Sequence, residues 1–176
     1  MRIISGKYRG KQLHPGKDFK ARPTTDFAKE SLFNILANRF NFEEIKVLDL
    51  FSGTGSISFE FASRGCALVE SVELNSKHAA FIIKTAKELR LDQMKVIKTN
   101  AYQYLKFNKH KFDIIFADPP YEMEGVEMLP DIVLGKNILE NEGIFVLEHS
   151  KNIDFSKHPR LLEHRNYGSV NFSFFQ

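Results

Sequence analysis

The fold is decided by the stretch Val47-Leu48-Asp49-Leu50-Phe51-Ser52-Gly53-Thr54-Gly55-Ser56. The apolar run 47–51 predicts a short buried strand, and residues 57–64 predict a helix directly after the glycines. A glycine turn between a strand and a helix lets backbone N–H groups approach a ligand closely. The stretch therefore predicts the ligand-binding loop of an α/β domain.

An acidic residue follows the next apolar run, 68–72. Glu73 lies eighteen residues beyond Gly55, where a carboxylate can accept hydrogen bonds from both hydroxyls of an adenosine ribose. The pattern Gly53-x-Gly55-x-x-Ser58 lacks the third glycine of the dinucleotide fingerprint, and a pyrophosphate has no evident partner. This arrangement favours S-adenosylmethionine over a nicotinamide cofactor.

A second motif, Asp118-Pro119-Pro120-Tyr121, ends the apolar run 112–117. The prolines stiffen the turn because each fixes φ near −65°, and the carboxyl ends of parallel strands are where open α/β sheets bind ligands. The Asp118 carboxylate and the Pro119 carbonyl can accept the two N–H bonds of an amino group, while Tyr121 offers a stacking face. We interpret the four residues as the catalytic turn for methylating an exocyclic or amide nitrogen.

Strand and helix patterns alternate through most of the chain. A helix from Phe27 to about Arg39, capped by Thr25 or Asp26, comes first. Strands are predicted at 46–51, 68–73, 94–98, 112–117 and 143–148, and further helices at 56–64, 75–90, 101–107 and 126–136. The tail, with strands at 160–166 and 170–175, predicts an antiparallel edge pair. The fold class is α/β, a Rossmann-like doubly wound and mostly parallel sheet of seven strands.

Composition excludes several classes of protein. The 176 residues are 43% hydrophobic, enough for one compact domain plus an appendage. The single Cys66 excludes an intrachain disulfide, and the six histidines form no i,i+4 pair, so no metal site is expected. No apolar run approaches about eighteen residues, so we expect neither a membrane span nor a signal peptide, and a cytoplasmic protein.

Positive charge is concentrated at the amino terminus. Residues 1–25 contain seven bases and one acid, a balance of +6, whereas the whole chain carries +3. Residues 2–13 alternate and turn at glycines, which predicts a small β-hairpin. We therefore divide the chain into a basic hairpin arm with its linker, 1–25, and a catalytic domain, 26–176. The residues expected to bind RNA are Lys7, Tyr8, Arg9, Lys11, Arg22 and Thr24; the alternative is a solvated, flexible terminus.

Together these motifs resemble the bacterial 16S ribosomal RNA guanine-N2 methyltransferases of the RsmD type, class I enzymes that use S-adenosylmethionine. The resemblance runs from end to end, and its most specific parts are the opening segment 2–13 and Arg22-Pro23-Thr24-Thr25-Asp26. It implies 16S rRNA as partner, within the small ribosomal subunit or an assembly intermediate, and an arm that faces RNA. It also implies that Glu73 binds the ribose and that Asn100 and Ala101 lie near the adenine. The cofactor residues are thus expected to be Asp49, Phe51, Gly53, Thr54, Gly55, Glu73, Leu74, Asn100 and Ala101.

Three residues depart from the family pattern. Ser58 stands where a glycine is usual, Asn100 where aspartate is common, and Lys29 where an arginine is usual. The last change loses a bidentate fork for phosphate or carboxylate, so we expect it to affect substrate affinity.

Two other functions stay open from the residues. Methylation of adenine N6 in DNA or RNA needs the same two-acceptor clamp. A non-catalytic RNA-binding module that keeps an old cofactor pocket is the second alternative.

Overall fold

A computed structural model describes residues 1–16 and 25–176, which include a seven-stranded sheet in the order β3-β2-β1-β4-β5-β7-β6. The first five strands along the chain are parallel, and β7 runs antiparallel to both β5 and β6. The strands are β1 Lys46–Asp49, β2 Leu68–Val72, β3 Met94–Ile97, β4 Phe112–Ala117, β5 Leu139–His149, β6 Leu161–Tyr167 and β7 Val170–Phe175. The predicted doubly wound sheet with an antiparallel edge pair is confirmed.

The helices are α1 Asp26–Ala37, α2 Ser56–Ser63, α3 Ser76–Glu88, α4 Ala101–Phe107 and α5 Leu129–Leu134. Thr25 caps α1 by accepting the N–H of Ala28. The helix predicted at 126–136 is divided, with a 3₁₀ turn at Val126–Met128 preceding α5, because Pro130 has no N–H to continue the ladder. Within the described part of the chain, no helix has the length and apolar character needed to cross a bilayer.

Two hydrophobic layers cover the two faces of the sheet. The first layer joins α1, α2 and α3 to one face, where Val47, Phe116 and Val146 point. The second layer joins α4 and α5 to the other face. Because successive residues of a strand point to opposite faces, both layers need apolar side chains, and the strands read as nearly continuous apolar runs.

The amino-terminal segment 1–16 packs onto the first layer. The expected hairpin is present in a short form: an antiparallel bridge joins Arg2 and Gln12, and the N–H groups of Ile3 and Leu13 donate to the carbonyls of Lys11 and Met1 on either side of it. Ile3 and Leu13 are buried with the helices of the sheet domain. Gly6 has φ +79°, and a Cβ there would lie 1.9 Å from the carbonyl oxygen of Ser63, so glycine is required for the contact. Residues 1–16 are therefore a docked part of the fold, and a solvated terminus is the wrong description of them; the division at residue 25 stays a prediction.

Candidate active site

A cleft of about 750 Å³ opens at the carboxyl edge of the parallel strands. It is lined by the loops that follow β1, β2, β3 and β4, together with the β6–β7 turn. The structure brings together twelve of the thirteen residues predicted for the cofactor and catalytic sites: Asp49, Phe51, Gly53, Thr54, Glu73, Leu74, Asn100, Ala101, Asp118, Pro119, Pro120 and Tyr121.

Gly55 is the exception, because it does not line the cleft. It precedes α2 with φ +79°, and a Cβ there would lie 2.9 Å from the Phe59 ring and 3.0 Å from Ile82. Gly55 therefore lets the loop turn sharply and α2 pack against α3. Gly55 thus supports the loop that lines the cleft, and direct contact between Gly55 and the cofactor stays a prediction.

Glu73 ties two walls of the cleft together. One carboxylate oxygen accepts the N–H of Gly53 at 2.7 Å, and the other accepts the N–H of Asn75 at 2.6 Å. An oxygen that accepts one hydrogen bond keeps a second lone pair. Glu73 can therefore hold the glycine loop and also accept a hydrogen bond from a ligand hydroxyl.

Acidic side chains form a row across the cleft, one from each of four adjacent strands or the loops that follow them. Asp49 ends β1 beside Phe116 of β4, and Ala117 of β4 is in register with Leu147 of β5. Because side chains alternate along a strand, Asp118 and Glu148 are next to each other on the same face of the sheet. Glu73 completes the row after β2.

Glu148 was not among the residues predicted for the site. It is only 3% exposed and lines the cleft. The signal that could have identified it is an acid at the end of the predicted strand 143–148, the same signal that identified Glu73 and Asp118.

One carboxylate oxygen of Asp49 is buried and accepts no hydrogen bond from the described residues. The hydroxyl of Ser58 donates to Oδ2 at 2.6 Å, whereas Oδ1 has no hydrogen-bond partner among residues 1–16 and 25–176. Burial raises the pKa of Asp49 to about 7, and the Ser58 hydrogen bond opposes that rise. Ser58, in turn, accepts a hydrogen bond from Ser71; the serine that departs from the family pattern thus positions the Asp49 carboxylate.

The cleft strongly favours positive charge. Burial raises the pKa of Asp118 well above its ordinary value, and the neighbouring Glu148 and Asp49 carboxylates raise it further. Of the described residues that line the cleft, none is lysine or arginine. A cationic ligand fits this electrostatic environment, whereas a phosphate would meet several carboxylates and no lysine or arginine among the described lining residues.

Asn100 lines the cleft at the start of α4. Its Oδ1 accepts the N–H of Tyr102 at 2.8 Å and so caps the helix. An asparagine in place of aspartate therefore keeps the cap, and contact between Asn100 or Ala101 and an adenine stays a prediction.

The catalytic turn presents its aromatic ring to solvent. Pro119 is buried, Pro120 is exposed, and the Pro120 carbonyl accepts the N–H of Met123 at 2.9 Å. Tyr121 is 55% exposed while also lining the cleft. The ring is thus accessible to a base that enters from outside.

The basic tip of the amino-terminal segment lies far from the cleft. Lys7 and Tyr8 donate their backbone N–H groups to Ser63 at the end of α2, and the Tyr8 hydroxyl donates to the carbonyl of Leu89, just after α3. The cleft lies at the other ends of these helices, and α2 alone is about 12 Å long. Lys7, Arg9 and Lys11 are exposed there; Arg22 and Thr24 lie outside the described residues. RNA contact by these six residues stays a prediction.

Lys29 has a structural position that its sequence context did not reveal. It is 1% exposed, and its ammonium donates to the carbonyl of Arg2 at 2.6 Å and to Ser56 at 3.2 Å. Burial lowers the pKa of Lys29, and the nearby Glu60 opposes this shift. A side chain held in this way cannot contact a phosphate of the substrate, which corrects the expectation for this residue.

No metal site is evident in residues 1–16 and 25–176, where no group of three or more His, Cys, Asp or Glu side chains could hold an ion.

Comparison with known proteins gives consistent results. The whole chain, residues 1–176, matches the family described as conserved hypothetical protein 95. It is 31% identical over 157 residues to ribosomal RNA small subunit methyltransferase D of Buchnera aphidicola, covering 88% of this chain and 78% of that protein. It is also 31% identical over 182 residues to the protein of the same name from Haemophilus influenzae, covering 100% of this chain and 93% of that protein.

The solved structures include a putative methyltransferase, yhhF, from Escherichia coli. It is 28% identical to this chain and superposes with a TM-score of 0.85, covering 100% of this chain and 97% of that one. The likeness thus extends over the amino-terminal segment as well as the sheet domain.

Proposed function

The chain belongs to the conserved hypothetical protein 95 family of RsmD-type methyltransferases, and from this premise we propose that it methylates the exocyclic N2 of a guanine in 16S rRNA. The family carries the coarser part of this statement, a small-subunit rRNA methyltransferase that uses S-adenosylmethionine. Methylation of an exocyclic amino group is supported by the position of Asp118, on a rigid turn in the same cleft as the glycine loop and Glu73. The choice of guanine N2 over adenine N6 is supported by the resemblance to the RsmD-type enzymes.

S-adenosylmethionine fits the residues of the cleft. Bound there, it supplies an electrophilic methyl group on a positively charged sulfur. Asp49 Oδ1 is a buried acceptor to which no described residue donates, suited to a ligand ammonium group, and Glu73 can accept hydrogen bonds from ribose hydroxyls. The raised pKa values of Asp49 and Asp118 mean that a cation in this cleft would stabilise their ionised forms.

The catalytic turn orients the target nitrogen. An exocyclic amino group is a weak nucleophile because its lone pair is delocalised into the base. Hydrogen bonds from its two N–H groups to the Asp118 carboxylate and the Pro119 carbonyl would turn the lone pair toward the methyl group, while Tyr121 stacks on the base. Most of the rate acceleration then comes from positioning.

The product nitrogen must also lose a proton. Asp118 touches this nitrogen in the proposed complex, and its raised pKa makes it a better base than an ordinary aspartate. Glu148 lies beside it on the same face of the sheet. The Asp118 carboxylate can therefore accept the proton and pass it to Glu148 or to water.

The substrate is proposed to be structured RNA within the small subunit or an assembly intermediate. The exposed bases Lys7, Arg9 and Lys11 lie near the far ends of α2 and α3. An RNA that reaches both the cleft and these bases must extend over more than about 12 Å of protein surface. A folded RNA meets this requirement better than a single flexible nucleotide.

Methyl transfer from tritiated S-adenosylmethionine tests the proposal. Unmethylated naked 16S rRNA, isolated small subunits and duplex DNA are compared, and the modified nucleosides are identified. We expect N2-methylguanosine from rRNA or subunits. N6-methyladenine would support the adenine alternative instead, and cofactor binding without transfer to any substrate would support the non-catalytic module.

A further inference from the structure

Two aromatic side chains outside the cleft lie together at the surface. Phe27, in the first turn of α1, is 68% exposed. Its ring meets the ring of Tyr167, at the end of β6, edge to face with centroids 5.8 Å apart and an angle of 83°. We call Phe27 and Tyr167 the aromatic pair.

The aromatic pair lies next to the mouth of the cleft. Thr25 and Ser169 both line the cleft, and each is two residues from one member of the pair. Phe27 in α1 and Tyr167 at the end of β6 therefore lie beside residues that border the cleft, next to the surface proposed to receive the target base.

Folding does not explain the exposure of Phe27. Tyr167 packs on Phe172 beneath it, with ring centroids 6.1 Å apart, but most of the Phe27 ring faces water. An exposed phenyl ring contributes little burial energy, and a polar residue in the first turn of a helix would fold as well. The edge-to-face contact also leaves ring surface uncovered for a further partner.

We propose that the aromatic pair stacks on an unpaired RNA base next to the target nucleotide. This inference rests on the proposed function, since it assumes that RNA enters the cleft. Two rings offer a π surface about the size of one base, which suits a nucleobase better than a folded protein partner. Phe27 has no hydrogen-bonding group, so the contact should tolerate any base and hold the strand without reading its sequence.

The test uses Phe27→Ala, because Tyr167 also packs against the protein interior. Phe107→Ala is the matched control: Phe107 is 73% exposed and ends α4, which packs on the other face of the sheet and has its first residue at the cleft. Phe27→Trp restores an aromatic surface. Each variant is assayed for KM and kcat with unmethylated small subunits, for cofactor affinity by calorimetry, and for affinity toward a fluorescein-labelled single-stranded heptanucleotide RNA.

We expect Phe27→Ala to raise KM for the subunits and weaken heptanucleotide binding by roughly five- to a hundredfold, the range for one base–aromatic stack. Cofactor affinity, kcat and thermal denaturation should stay close to those of the wild type, and Phe27→Trp should recover binding. Equal behaviour of Phe27→Ala and Phe107→Ala would overturn the inference.

Different measurements test the proposed methyl transfer and the proposed stacking by the aromatic pair. A wild-type protein that transfers no methyl group to subunits or rRNA would overturn the proposed function. The heptanucleotide affinities of Phe27→Ala, Phe27→Trp and Phe107→Ala would still decide whether the aromatic pair stacks on an RNA base.

Discussion

The carboxylates buried beneath the amino-terminal segment and those buried in the cleft differ in their hydrogen-bond partners. Beneath the amino-terminal segment, Glu60 is completely buried. Its oxygens accept the N–H groups of Ile4 and Ser5 at 2.7 and 3.0 Å, and the Arg64 guanidinium at 2.9 Å, with the Lys29 ammonium 3.9 Å away. In the cleft, Asp49 is buried to a similar degree, yet one of its oxygens accepts no hydrogen bond within the described part of the chain.

The hydrogen-bond partners distinguish a carboxylate that stabilises the fold from a carboxylate that can bind a ligand. A buried charge with cations and N–H groups around it is compensated by the fold itself, and it holds the amino-terminal segment to α2. The charge of a carboxylate buried among other carboxylates is compensated when a cationic ligand binds. Burial of an acidic residue does not by itself indicate a functional site; the state of its hydrogen bonds does.

The largest expected effect comes from the catalytic turn. Asp118→Ala should lower kcat by roughly a hundred- to ten-thousandfold, the range for a positioned acid–base group. Cofactor affinity should stay within a few-fold, because the carboxylate is proposed to touch the base. Single-turnover transfer and calorimetry measure the two quantities. Loss of cofactor binding with full turnover at saturating cofactor would assign Asp118 to the donor side instead.

Glu60→Ala should lower the stability of the fold without a direct effect on methyl transfer. Removing one partner of a buried ion pair costs about 3–5 kcal/mol, since it leaves Lys29 buried without its carboxylate. Urea denaturation measures the change in the free energy of unfolding. The control is Glu88→Ala, in which an exposed carboxylate 3.8 Å from Lys84 is removed and little change is expected. A Glu60 variant as stable as wild type would contradict the structural role assigned to this buried carboxylate.

Asp49 should make the stability of the ligand-free protein depend on pH. Its pKa is raised from 3.8 to about 7, so between pH 4 and 7 the folded protein binds more protons than the unfolded chain. The free energy of unfolding should therefore fall as pH rises through this window, by about 1.4 kcal/mol per unit at most. Denaturation of wild type and Asp49→Asn at pH 5 and 7.5 isolates this contribution; parallel behaviour of the two proteins would contradict it.

Glu73→Ala should weaken S-adenosylmethionine binding by roughly ten- to a hundredfold, since hydrogen bonds to a charged group contribute about 1.5–3 kcal/mol. RNA affinity should change little. Calorimetry with the cofactor and filter binding with rRNA measure the two. Unchanged cofactor affinity would show that the ribose binds elsewhere and that Glu73 serves only to join Gly53 to Asn75.

The smallest effect concerns the surface that the Glu60 region holds in place. If Arg9 and Lys11 contact phosphates, replacing both by alanine should lower the slope of log affinity against log salt by about 1.4–1.8. Stability should hardly move, because both side chains are exposed. Lys106→Ala with Lys109→Ala, on the other face of the sheet, is the matched control. An identical decrease in both double variants would remove any special role for the tip.

The periodicity of apolar residues and the positions of turn residues predicted nearly every helix and strand of the fold. The alternation of apolar runs with helical patterns placed five parallel strands, and the Tyr167-Gly168-Ser169 turn placed the antiparallel pair. Element boundaries differ most from the prediction in two places. The helix predicted at 126–136 is divided before Pro130, and β5 begins at Leu139, which pairs with Phe112 of β4 ahead of a register shift. The cleft residues were predictable for a similar reason, since glycine turns and strand-ending acids mark the carboxyl edge of a sheet in any order of strands.

The sequence by itself determined the strand and helix pattern, the glycine loop and the acid–diproline turn, because these depend on backbone preferences and on spacing along the chain. Only the tertiary structure decided which charges are compensated. Glu60 and Lys29 read as surface residues of two helices until the amino-terminal segment packs over them, and Glu148 joins Asp118 only through the register of β4 and β5. A buried charge is compensated by groups up to 56 positions away in the chain. Patterns of neighbouring residues cannot predict which distant groups the fold will bring together.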